Sequence, residues 1–314
     1  MEAMTKRRIR DQRIRSVRTE PDGTAVRLPR YAYALSASLA VVALASGIST
    51  FALRGILHGT AVMNGSARGT ALIAVAVAVP CLFVSMWLAA RGSARAVFVW
   101  LGTTMYLVYN TVMFILGTPL NRLFLVYVVA LALGIASAVA VAMTARPADL
   151  ARHCSPELPA RGIAIYLWVV VAANALAWLG RIVPAVIEDD AERLLEGTGL
   201  TMIPTYFQDL AFWLPLLAIG AAWLWRRQPW GYLIAGAGLA LWALEGLTVA
   251  VDQWFGHRAD PTSDVASADA VLPFAIATVI GIVALWAFLR RVDGTEPRSE
   301  TGRSLGRDRS YMST

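Results

Sequence analysis

Cysteine, histidine and charged residues are all scarce in this sequence of 314 residues. Charged residues make up 16% of the chain, and there are two cysteines and three histidines. Cys81 lies in an apolar run and Cys154 in a polar loop, so we expect neither a disulfide framework nor a thiolate metal site. No histidine lies within an apolar run, where a haem between membrane helices would need its ligands. The sequence therefore predicts no cofactor and no metal.

Motifs of familiar catalytic chemistry are also missing. We find no H-E-x-x-H, no G-x-S-x-G and no D-D-x-x-D carboxylate pair. The polar segments between apolar runs reach about twenty residues, which is too short to bury a core of their own. No internal repeat is apparent in the sequence. We therefore expect no separate soluble domain, and every catalytic residue remains unassigned.

Apolar residues are abundant instead, and they are grouped. They form 57% of the chain, whose mean hydropathy is +0.57. The runs are roughly 20 residues long, the length of a helix that crosses about 30 Å of hydrocarbon. Each run is predicted to be a helix, because a segment in lipid must satisfy its own backbone. The predicted fold is an all-α, polytopic transmembrane bundle of eight spans: 31–53, 69–90, 96–117, 120–143, 163–187, 207–225, 230–251 and 271–289.

Basic residues indicate the orientation of these spans. If the N-terminus is cytoplasmic, 22 of the 28 lysines and arginines fall on the cytoplasmic side, as the positive-inside rule requires. An even number of spans then returns the C-terminus to the cytoplasm as well. This topology accounts for the net charge of +7, so we predict no nucleic-acid partner.

The chain is predicted to have three parts. Residues 1–30 form a basic, disordered cytoplasmic segment that lies on anionic lipid headgroups. Residues 31–290 form the transmembrane domain, and residues 291–314 form a disordered cytoplasmic tail. The first apolar run is too long for a cleaved signal peptide, so it is interpreted as a retained span.

Polar residues within the spans are the main functional feature of the sequence, because such residues are costly in lipid and usually face a bundle interior or a wet cavity. Tyr106, Tyr109 and Asn110 share one face of the third span through their i, i+3 and i+4 spacing. The predicted topology places them in the outer half of the membrane. Four residues on other spans join them there: Asn121, Arg181, Asp209 and Glu245. Together the seven residues predict a polar ligand-binding pocket.

Charge pairing supports one pocket, and packing offers an alternative. Arg181 is the natural partner of Glu245 or Asp209, because an unpaired charge in the bundle would cost several kcal/mol. In the alternative, Arg181 and Asp209 reach separately to lipid headgroups, and the tyrosines and asparagines join helices by hydrogen bonds. The sequence leaves both interpretations open.

Three stretches carry a resemblance to other proteins. They are YLVYNTVMFILGTPLNRLFLVYV across spans three and four, NGSARGTALI before span two, and DLAFWLPLLAIGAAWLWRRQPWGYL across spans six and seven. The chain resembles an uncharacterised family of bacterial multi-pass integral membrane proteins with no assigned activity. The resemblance implies a location in the bacterial cytoplasmic (inner) membrane and carries over no catalytic residue.

Three functions compete at this stage. The first is binding or transport of a small ligand through the polar pocket. The second is a membrane-embedded enzyme acting on a lipid or isoprenoid, with Glu245 or Asp209 as general acid. The third is a non-catalytic scaffold or sensor. The predicted partners are the lipid bilayer, anionic headgroups and a small molecule, and the oligomeric state is left open.

Overall fold

The computed structural model describes residues 28–292 of the chain. The predicted disorder of the two termini concerns residues that lie almost wholly outside this range. Within it the protein is helical, and no β-strand forms; an isolated bridge joins Cys154 and Val292. The predicted all-α fold is therefore confirmed for the part of the chain that the structure describes.

Eight of the helices are long and apolar enough to cross a membrane, as predicted. They are called spans one to eight here: Arg30–Ala52, Ala61–Ala90, Ala94–Leu116, Phe124–Thr144, Ala160–Ile187, Pro204–Trp225, Pro229–Ala259 and Ala268–Leu289. Their number and composition fit a multi-pass membrane protein. Short helices, Pro147–Arg152 and Ala191–Leu195, lie between spans.

Spans two and seven extend well beyond their predicted ends. Span two begins at Ala61 instead of residue 69, and span seven continues to Ala259 instead of residue 251. The added turns pack against each other on glycines: a Cβ atom at Gly65 would lie 2.6 Å from the carbonyl oxygen of Phe255. These added turns contain polar residues, so their hydropathy is too low to predict them as part of a span. Close contact between the two helices through small residues stabilises the added turns.

Spans three and seven form the centre of the bundle. In each, 61% of the most apolar window is buried, compared with 17% in spans five and eight. The two central spans touch at Gly102, where a Cβ atom would lie 2.4 Å from the carbonyl oxygen of Ala237. A side chain larger than hydrogen at Gly102 would force the two backbones apart.

Spans two and six share an unusual local structure. Each contains a five-residue π-helix, Ala74–Ala78 in one and Asp209–Trp213 in the other. Each π-helix is followed two residues later by a proline, Pro80 or Pro215. Such wide turns are rare, and they are frequent at functional sites. The matching positions lie 135 residues apart (74 and 209, 80 and 215).

Candidate functional site

A hydrogen bond between the two central spans lies at the heart of the site. Asn110 of span three donates its Nδ2 to Oε2 of Glu245 in span seven across 2.9 Å. The same Nδ2 also reaches the carbonyl oxygen of Tyr106 across 3.2 Å, which fixes the direction of the amide. Both side chains are buried, with 4% of Asn110 and 6% of Glu245 exposed. A carboxyl group near the middle of span seven is thus held by one neutral donor.

A second bond joins the same two spans next to this pair. The Thr248 hydroxyl donates to the carbonyl oxygen of Leu244 across 2.9 Å. Its oxygen is then an acceptor for the Tyr106 hydroxyl, which lies 2.7 Å away. Tyr106 and Thr248 are both buried. Tyr106 therefore fixes the face of span seven that carries Glu245.

Asp209 is the first residue of the π-helix of span six and is almost completely buried, with 1% exposed. Its Oδ2 accepts a hydrogen bond from Nε1 of Trp178 in span five across 2.8 Å. Its Oδ1 has no hydrogen-bond partner within the described residues. The neighbouring Gln208 is also buried, and its Nε2 is likewise unpartnered there. Two consecutive residues of the chain thus each have one buried polar atom without a hydrogen bond by strict geometry, although the Tyr109 side chain also faces the Asp209 carboxyl.

Aromatic rings lie between the two carboxyl groups. The Tyr109 hydroxyl faces Asp209 and Thr205, and Glu245 also lies close to Tyr109. The Tyr109 ring lies 5.9 Å from that of Trp213, whose Nε1 donates to Oε1 of Gln208 across 3.1 Å. Tyr109 therefore connects the Asn110–Glu245 pair with the Asp209 side of the site.

The site is acidic and has no cationic partner among the residues described. Asp209 and Asp252 are the other carboxyl groups near Glu245. Within residues 28–292, the recorded ion pairs are Arg152–Asp149 and Arg291–Glu157, neither of which involves these three carboxyl groups. No three His, Cys, Asp or Glu side chains in this range gather as they would around a metal ion.

The predicted partnership of Arg181 with Glu245 or Asp209 was wrong. Arg181 is exposed on span five and forms no ion pair with a described residue. Span five instead contributes Trp178, one turn earlier, to Asp209. A guanidinium group can reach an interface through its long side chain, so Arg181 does not need the interior.

Asn121 lies in the turn between spans three and four and is bound locally. Its Nδ2 donates to the carbonyl oxygen of Pro119 across 2.9 Å, and its Oδ1 accepts from the Leu123 amide across 2.9 Å. These bonds are those of a side chain that shapes its own turn. The structure thus brings together five of the seven predicted residues: Tyr106, Tyr109, Asn110, Asp209 and Glu245.

A narrow crevice adjoins this cluster. It lies between spans three, six and seven, is partly open to the surface and has room for about one water molecule. Its apolar lining includes Met105, Trp213, Leu241 and Trp242. Trp213 borders both the crevice and the polar cluster, through its contact with Tyr109. The site thus combines carboxyl groups with an aromatic, apolar recess.

Several residues of the site lie outside the predicted set of seven. Asp252 and Thr248 lie on the Glu245 face of span seven, where helical spacing indicates Asp252 from the sequence. Gln208 and Trp178 gave no such signal, because their roles depend on how span six packs against span five. Only the bond from Trp178 to Asp209 makes that packing visible.

Comparisons of the chain with protein-family models, with curated proteins and with solved structures gave no match.

Proposed function

We propose that this protein binds a small cationic ligand at the Asp209–Glu245 cluster and transports it across the bacterial cytoplasmic membrane. The observation that carries the proposal is the pair of buried carboxyl groups with no basic side chain paired to them in the described residues. A charged carboxyl at the centre of a membrane helix costs about 2.5–3.5 kcal/mol on insertion scales. A cationic ligand would supply the positive charge that no described side chain provides.

The unsatisfied atoms support the same proposal. Asp209 Oδ1 and Gln208 Nε2 offer one acceptor and one donor at adjacent positions. Buried polar groups nearly always have partners, so an unpartnered pair in a functional cluster indicates a place for a ligand atom.

Orientation is part of the proposal. The distribution of lysine and arginine, together with eight spans, supports cytoplasmic N- and C-termini. Spans three and seven then run outward, and span six begins outside. This puts Asn110, Asp209 and Asp252 in the outer half of the bundle, so we propose that the ligand enters the cluster from the outer surface.

Charge selectivity tests the proposed function. The purified protein is heated with phenethylamine, with phenylpropionate or with phenethyl alcohol, which share an aromatic body and differ in charge. We expect phenethylamine alone to raise the melting temperature, because a ligand that binds only the folded state stabilises it. Glu245→Gln should remove this effect, since it removes the charge and keeps the shape. Glu245→Asp serves as a second variant that retains the carboxyl.

The control is Asp264→Asn, an equivalent change at an exposed residue of the loop between spans seven and eight. This variant should respond to phenethylamine as the unchanged protein does. Equal responses to all three compounds, or an unchanged response in Glu245→Gln, would rule out cation binding at this cluster.

A further inference from the structure

Spans two and three correspond to spans six and seven at a constant distance along the chain. The helical segment Val79–Ala90 that follows the first π-helix corresponds to Leu214–Trp225 after the second, again 135 residues later (79 and 214, 90 and 225). The next spans begin at Ala94 and Pro229, which keeps the same distance. The register is therefore constant from span two into span three and from span six into span seven.

The turns between these spans share equivalent backbone hydrogen bonds. The Gly92 amide bonds to the carbonyl oxygen of Ala89, and Arg227 bonds equivalently to Leu224. Gly92 and Arg227 both adopt positive φ, at 90° and 55°. An arginine in this conformation is uncommon, because it suits glycine better. A shared turn that persists in spite of that strain indicates one supersecondary unit used twice.

The repeat places the two halves around a pseudo-two-fold axis. Asn110 corresponds to Glu245, and these two residues bond to each other. Gly102 corresponds to Ala237, and these two also touch. Equivalent positions of two copies can meet only at a symmetry axis between them. Spans three and seven run in the same direction, so the axis runs along the membrane normal and passes through the Asn110–Glu245 pair.

The two sides of this axis are not alike. Span two packs closely on span seven, where a Cβ atom at Gly69 would lie 2.8 Å from Cα of Asp252. On the other side, position 204 corresponds to Gly69 and is a proline, which cannot pack as closely. Asp209 corresponds to Ala74 in the first half. The polar cluster therefore occurs once, on the span-six side of the axis.

We propose that the halves 30–144 and 160–289 rock against each other about the Asn110–Glu245 pair, and that a lipophilic organic ammonium ion exchanges with the Asn110 amide on Glu245. This inference rests on the proposed function and names its ligand class and its moving parts. Transporters built from parallel repeats have their ligand site between the repeats near the middle of the membrane. The axis pair also lies between the repeats, on the outer side of the middle.

The groups around Glu245 have the chemistry to bind an ammonium ion with an apolar body, for which the narrow crevice widens as the halves move. The Asn110 amide shows that Oε2 accepts an N–H donor at 2.9 Å, and an ammonium N–H would make a stronger bond of the same kind. The adjoining crevice takes Met105 from one half and Trp213, Leu241 and Trp242 from the other. Tryptophan faces attract cations, and the apolar lining suits a hydrocarbon or aromatic group.

Contacts between the halves close the bundle at both ends. At one end, a Cβ atom at Gly256 of span seven would lie 2.4 Å from Oγ of Ser66 in span two. At the other, the Phe98 and Phe288 rings of spans three and eight meet edge to face with centroids 5.1 Å apart. Access to the axis pair from either side requires one of these contacts to separate while the other holds.

Crosslinking tests the motion. The variant Ser66→Cys with Gly256→Cys joins the two halves, whereas Ser36→Cys with Ser137→Cys joins spans one and four within the first half. The two serine hydroxyls of the control pair lie 2.5 Å apart. Both variants carry Cys81→Ser and Cys154→Ser. Binding of fluorescent dansylcadaverine, a lipophilic primary ammonium ion, is measured in detergent, and its uptake is measured in proteoliposomes.

We expect oxidation to abolish uptake in the interhalf variant while binding persists, and dithiothreitol to restore uptake. The control pair should transport in both states. If the reduced interhalf variant does not fold, Phe98→Cys with Phe288→Cys replaces it and is joined by a short bifunctional reagent that dithiothreitol cleaves, because these two rings already meet. Uptake that continues with the halves joined overturns the rocking motion and leaves cation binding intact. An unchanged protein that binds neither dansylcadaverine nor phenethylamine overturns the proposed function, and this inference with it.

Discussion

Trp178 of span five donates its indole N–H to Oδ2 of Asp209 in span six across 2.8 Å. The Trp178 ring also lies 5.0 Å from that of Tyr206, at the start of the same span. Span five is otherwise among the least buried of the eight. One side chain thus connects a peripheral helix to the carboxyl group of the candidate site.

Replacing Trp178 by phenylalanine should weaken this connection. The change keeps an aromatic ring but removes the donor to a buried carboxyl, so we expect a loss of about 1.5–3 kcal/mol in the free energy of unfolding. Unfolding in detergent by denaturant measures it. Trp168→Phe is the control, because Trp168 is exposed and bonds a carbonyl oxygen at the longer distance of 3.3 Å. Equal losses in the two variants would contradict the importance of the Asp209 bond.

Gly69→Ala should destabilise the bundle by about 1–3 kcal/mol, as overpacking does. The new Cβ atom would lie 2.8 Å from Cα of Asp252 and 2.9 Å from the carbonyl oxygen of Val251, and backbone atoms cannot yield as a flexible side chain can. Melting temperature is the measurement. Gly162→Ala on span five meets no atom within 4 Å and should leave the melting temperature unchanged or slightly higher. A stable Gly69→Ala variant would show that spans two and seven do not pack this closely.

Arg181→Gln should change neither stability nor the response to phenethylamine, because Arg181 is exposed and forms no ion pair with a described residue. Asp209→Asn, in contrast, should reduce the response, since it removes one of the two buried charges. Both variants are measured by the same melting assay. A clear loss of ligand response in Arg181→Gln would instead place its guanidinium at the site and revive the ion pair expected from sequence.

Thiol labelling in intact cells tests the orientation of the spans. A variant with Asp264→Cys, in a background of Cys81→Ser and Cys154→Ser, should react with a membrane-impermeant maleimide from outside. Glu157→Cys, in the loop between spans four and five, should react only after the membrane is opened. Both positions are exposed, so access to reagent is equal apart from the bilayer. The reverse pattern would invert the topology and place the cluster in the inner half.

Hydropathy by itself determined the helical architecture and the number of spans. Crossing lipid demands about twenty apolar residues and a self-satisfied backbone, and both requirements can be read along one chain. Helical spacing is also a local property of the sequence, and it predicted the shared face of Tyr106, Tyr109 and Asn110. The ends of spans two and seven could not be read in this way, since contacts between distant glycines stabilise them.

The partners of each polar side chain were decided only by the tertiary structure. Charge complementarity favoured Arg181 as the partner of Glu245, but the fold brings Asn110 there and leaves Arg181 outside. The rotation and the crossing angle of two helices decide which of their faces meet. Both depend on the sizes of the side chains along the whole contact.

The inferred repeat of spans two and three in spans six and seven is a further feature that depends on tertiary structure. Its two copies have few identical residues, so the sequence did not display it, whereas the π-helices, the turns and the bond between Asn110 and Glu245 do. Local composition determines that a segment spans the membrane. The packing of distant segments determines where its charges lie, because a buried carboxyl can be placed only where the rest of the fold leaves room for it.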